Sequence, residues 1–160
     1  MKHVILFTVL FFVSSSYAQK CKDTPELNQQ IVALTKQKVK KKVGRGECWD
    51  LAQYVLDETN AEWDNFEVYG RLIKTKKECI YPGDIIQFEK VKLKWEDGKY
   101  SYQESMMHHT AIVVEVINQR ELKIAHQNTA EFGKKVGVST LILDRIVSGK
   151  LLIYRPVKGA

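Results

Sequence analysis

The sequence predicts an α+β domain in which N-terminal helices pack on a mostly antiparallel sheet. Apolar residues recur at helical spacing as far as Leu56 and alternate with polar ones after Pro82, and helices followed by strands give that class. Of the chain's 160 residues, 142 remain once the 18 of the leader are removed, enough for one domain with a real core and too few for two ordinary ones.

The leader is read first. Lys2 precedes an apolar run at 4–13 broken only by Thr8, and Ser14, Ser15 and Ser16 lead to Tyr17 and Ala18. The run is too short to span a bilayer, and Ser16 and Ala18 occupy the small-residue positions that a signal peptidase reads. Residues 1–18 therefore read as a cleaved signal peptide, with 19–160 as a single mature domain, secreted or periplasmic, without an integral membrane segment. A lipid anchor on Cys21 is the rival reading, but Ala18, Gln19 and Lys20 lack the residues that normally precede a lipidated cysteine. The leader carries one Lys and no acid, so the mature chain has one positive charge fewer than the +6 of the whole. That moderate basicity suits an anionic envelope polymer or plain solubility, and no nucleic-acid partner is expected.

Asp23 or Thr24 is placed to cap a helix opening at Pro25, and Leu27, Ile31 and Leu34 carry it over 25–39. Its lysine-rich end complements the negative helix terminus before Gly44 and Gly46 break the chain. Cys48, Leu51, Ala52, Val55 and Leu56 then fall on one face of a second helix, which Cys48 opens. Residues 57–64 read as its exit, and 66–73 show no clear period. Strands are expected at 84–89 and on through Val91, Leu93 and Trp95 to an Asp97-Gly98 turn, with Tyr100 and Tyr102 returning. Further strands follow at 110–117 and 121–127, joined at Asn118 and Gln119, and at 151–155.

Three cysteines in an oxidising compartment leave at least one thiol unpaired. Either all three are inert, or Cys21 pairs with Cys79 and Cys48 stays free. The second is preferred, because the first turn of a helix favours a thiolate and only Cys48 sits in such a context. The backbone N–H of Cys48 could also serve as an oxyanion donor.

A thiol nucleophile needs a base. His108, His109 and His126 all fall in one hairpin. If Asn118 pairs with Glu121, Ala111 faces Asn128 and Val113 faces His126, with His109 on that same side and His108 on the other. His109 is thereby a candidate base that His126 or Asn128 could orient. His108 and His109, facing opposite ways, would poorly share a metal.

Four blocks now stand in order: Gly46-Glu47-Cys48-Trp49-Asp50-Leu51-Ala52, Tyr81-Pro82-Gly83-Asp84-Ile85-Ile86-Gln87-Phe88, His109-Thr110-Ala111-Ile112-Val113 and Ile124-Ala125-His126-Gln127-Asn128. Together, over about 44–128, they resemble the CHAP and NlpC-like cysteine hydrolases. The resemblance implies a papain-like fold and action on peptide or amide bonds, often in cell-wall peptides. It makes Cys48 the nucleophile, His109 the base and His126 the third residue, where CHAP members usually have an acid, and Asn128 also matches a family asparagine. Trp49 and Asp50 depart from the pattern. The reading is thus a secreted amidase or endopeptidase acting on a peptide or peptidoglycan-like substrate, with no metal or organic cofactor needed. The rival is an inactive binding module on the same fold.

Overall fold

The computed structural model describes residue 21 and residues 23–160, so the expected signal peptide and its cleavage site lie outside the described residues. Helix α1, Glu26–Lys38, begins one residue after Pro25, whose carbonyl accepts the Gln29 N–H at 3.0 Å. No side chain caps it, so neither Asp23 nor Thr24 takes the expected role. Helix α2, Asp50–Glu58, buries Leu51, Ala52, Val55 and Leu56 as the spacing predicts.

Eight strands follow: β1 Ala61–Glu62, β2 Arg71–Leu72, β3 Ile85–Asp97, β4 Tyr100–Asn118, β5 Glu121–His126, β6 Gly137–Ile142, β7 Ile146–Arg155 and β8 Val157–Lys158. β1 pairs with β8, and the others form one sheet in the order β2-β7-β3-β4-β5-β6, with every strand pair antiparallel. The expected Asp97-Gly98 hairpin is present, with Trp95 opposite Tyr102 and their rings stacked at 5.4 Å. Its return strand runs unbroken to Asn118, and β6 is a strand that the sequence reading lacked.

The sheet is buried on both faces. Ile85, Ile112, Val114, Ala125 and Tyr154 pack with Ile31, Leu51, Val55 and Leu56 of the two helices. Ile86, Phe88, Ala111, Val113, Ile124 and Leu141 form a second apolar cluster. Alternation along β3 and β4 assigns these clusters to opposite faces. Each fully buried aliphatic or aromatic side chain contributes roughly 1.5–3 kcal/mol.

The Pro82-Gly83-Asp84 corner ties α1 to this sheet. Gly83 has φ +88°, and a Cβ there would stand 2.4 Å from the Asn28 carbonyl oxygen. Close approach lets the Asn28 amide donate to Pro82 O at 3.0 Å and to Asp84 Oδ1 at 2.9 Å. Arg155, at the end of β7, donates to both Asp84 oxygens at 3.0 and 2.8 Å, a bidentate pair. The Cys21–Cys79 disulfide forms as expected and leaves Cys48 as the free cysteine.

Between β4 and β5 the expected Asn118–Glu121 pairing holds, but two register shifts follow, and Val113 faces Ile124 rather than His126. Two shifts preserve parity, so His126 stays on the face of Val113, Ala111 and His109.

Candidate active site

Cys48 lies in a turn two residues before α2 rather than in its first turn. Glycines at 44 (φ +54°) and 46 (φ +88°) shape the loop leading to it. The buried Asp50 carboxylate reaches back to accept the Glu47 N–H at 3.0 Å, as a capping box does. From the far end of β5, Gln127 pins the loop with three hydrogen bonds. Its Oε1 accepts from Val43 N at 3.1 Å, and its Nε2 donates to Val43 O at 3.0 Å and Glu47 O at 2.7 Å.

Asn128 also serves this loop. It has φ +62° just beyond β5, and its amide donates to Glu47 Oε2 at 2.9 Å, while Lys134 holds Glu47 Oε1 at 2.6 Å. The expected support of His109 by Asn128 is therefore replaced by a contact beside Cys48.

Cys48 opens on a cavity of about 190 Å³ whose wall includes Trp49, Glu67, Tyr69, His108 and Thr110. His108 stands between two carboxylates, with Nε2 2.6 Å from Glu67 Oε1 and Nδ1 3.0 Å from Glu89 Oε1. Burial works against the imidazolium, but the hydrogen bonds and charges of Glu89 and Glu67 outweigh it and raise the His108 pKa above its usual 6.5. A hydrogen-bonded chain backs this pair. Thr110 donates to Gln87 Oε1 at 2.7 Å, so the Tyr69 hydroxyl, 3.1 Å away, must be the donor to Thr110. The Gln87 amide in turn donates to Glu89 at 2.8 Å. Burial pushes the Tyr69 phenol up to about 12, against its hydrogen bond with Thr110, so it stays neutral as this donor role requires.

His109 and His126 meet on the other face of the sheet. His109 Nε2 lies 3.0 Å from His126 Nδ1, His126 Nε2 lies 2.9 Å from the Ser139 hydroxyl, and the rings pack against Phe88 and Phe132. Burial lowers both pKa values to about 4, with His108 adding charge repulsion at His109 and His109 at His126. Both rings are therefore neutral near pH 7. They border a second cavity, of about 490 Å³, that Met106, Met107, Asn128 and His108 itself also line.

The structure thus brings together Cys48 and His108, and separately His109 and His126. Sequence reasoning missed Glu67, Tyr69, Gln87, Glu89 and Gln127. The alternation that places His108 beside Thr110 and Ile112 was legible, but not which face α2 covers.

A family model described as the AIM3/BBC1 cysteine proteinase-fold domain matches residues 24–160. The chain belongs to that family. Membership agrees with the α+β, papain-like class expected from the motif order, and it names neither the CHAP nor the NlpC-like branch. No curated protein matches the AIM3/BBC1-type chain. Among solved structures it is similar to Ly7917, at 16% identity and TM-score 0.47, over 79% of this chain and 62% of that one. The structure of Ly7917 with the hydrolyzing product of MDP gives 16% identity and TM-score 0.48, over 81% and 63%. The chain spans less than two thirds of the length of Ly7917.

Proposed function

We propose that the protein is an exported cysteine hydrolase of the amidase or endopeptidase type, with Cys48 as nucleophile and His108 as its base. The observation that carries the reading is the cavity that the Cys48 thiol shares with His108. His108 takes the thiol proton, the thiolate attacks a carbonyl, and backbone N–H groups of the turn before α2, that of Cys48 among them, hold the oxyanion. His108 then protonates the leaving amine, and water releases the acyl group. Glu89, on Nδ1, orients the ring. Glu67, on Nε2, exchanges its hydrogen bond for the thiol during the cycle.

Peptide or amide bonds are the proposed substrates, and cell-wall peptides are the first to test, in line with the CHAP and NlpC-like resemblance of the blocks at 44–128. Export with cleavage after Ala18, leaving 19–160 as one domain, belongs to the same proposal. The Cys21–Cys79 disulfide supports an oxidising compartment. No helix among the described residues is long and apolar enough to cross a membrane.

A second reading keeps His109 as base and His126 as its orienting group, favoured by their 3.0 Å hydrogen bond. It requires the Cys48 turn to reach the opposite face of β4.

The experiment is labelling with an electrophilic peptide ketone, read by intact mass, for the wild type and Cys48→Ala. One adduct on the wild type and none on the variant supports the hydrolase. A native protein that resists labelling, while the unfolded chain reacts freely, assigns the fold to binding instead.

A further inference from the structure

We propose that Glu67, Glu89 and His108 form a site for a divalent transition cation of the zinc type, whose occupation suppresses the chemistry of Cys48. The binding half stands on geometry, whereas the suppression rests on the proposed role of His108 as base.

One ligand atom from each of the three residues lies within 4.8 Å of the other two. The residues come from separate parts of the chain: the loop before β2, strand β3 and strand β4. The fold, not local sequence, assembles the set. Imidazole and carboxylate together are donors that zinc accepts, and an imidazole disfavours magnesium or calcium. Zinc bonds of about 2.0–2.2 Å place tetrahedral ligands roughly 3.3 Å apart. The contraction from the observed spread falls on two glutamates whose side chains are partly exposed.

Charge favours a cation: the two carboxylates together carry −2, which one divalent ion brings to zero. Three protein ligands leave a fourth position open, and Glu67 and His108 border the cavity that holds Cys48. A cation there occupies an imidazole nitrogen that the thiol proton needs. Zinc would then be a reversible inhibitor rather than a cofactor.

The test is calorimetric titration of the full chain with zinc chloride, alongside the Cys48 alkylation rate with and without zinc. Expected are one saturable zinc per chain, slower alkylation when it is bound, and affinity weakened by more than about tenfold in Glu67→Gln and in Glu89→Gln, since even outer-shell partners cost that much. Thermal unfolding of both variants checks that they fold. No saturable binding, or affinity untouched by both substitutions, overturns the site. Zinc bound through these glutamates with an unchanged alkylation rate leaves the site standing and overturns both the suppression and the assignment of His108 as base.

Discussion

His108 Nε2 sits 2.6 Å from Glu67 Oε1, on the wall of the cavity that holds the Cys48 thiol. A loop of irregular structure thereby supplies a carboxylate to one ring nitrogen of a histidine that borders the same cavity as Cys48. Removing that carboxylate should leave the ring reliant on Glu89. The His108 pKa should fall in Glu67→Gln, because the Glu67 charge and hydrogen bond are among the causes that raise it. Proton NMR titration of the His108 ring measures this, and an unchanged midpoint would contradict the pairing.

Gln127 holds the Cys48 loop through three hydrogen bonds to Val43 and Glu47. Gln127→Ala leaves the partly or fully buried backbone groups of that loop unpaired, at a cost of about 2–3 kcal/mol. Urea unfolding should show that loss together with altered reactivity of Cys48. A stability within about 0.5 kcal/mol of the wild type would mean that the loop is held otherwise.

The Cys21–Cys79 link closes 58 residues of sequence. Chain-entropy arguments assign such a loop about 4 kcal/mol. Cys21→Ser with Cys79→Ser should lower the unfolding free energy by an amount of that order while Cys48 remains unpaired. Peptide mapping that places Cys48 in a disulfide would contradict the assignment of the free thiol.

Acid should act through His109 and His126. Their folded-state pKa values are depressed from 6.5 to about 4, so the stabilisation they represent is fully present above about 6.5 and is lost as pH falls toward 4. For one group that depression corresponds to roughly 3 kcal/mol. Guanidinium midpoints between pH 7 and 4 should fall less steeply in His126→Gln than in the wild type. Parallel curves would show that the pair is not protonated on unfolding.

Much of the fold was legible because its signals are local. The helical spacing of Leu51, Val55 and Leu56 and the Asp97-Gly98 turn each act within a few residues, and each appears where expected. Parity along β4 was also legible, and it correctly grouped His109 with His126. The face on which α2 lies was not, because β4 buries Ala111 and Val113 on one side and Ile112 and Val114 on the other. A strand apolar on both faces carries no sign of which side a helix covers. Glu67 and Tyr69 lie in a stretch without period, so only the folded chain shows that they border the Cys48 cavity.

The most direct test of the account is the rate at which iodoacetamide alkylates Cys48 near neutral pH, followed by intact mass in the wild type, His108→Ala and His109→Gln, with each variant checked for folding. If His108 takes the thiol proton, His108→Ala should slow alkylation by about tenfold or more, and His109→Gln should stay within about twofold of the wild type. A rate that collapses in His109→Gln and holds in His108→Ala would contradict the assignment and return the base to the opposite face of the sheet.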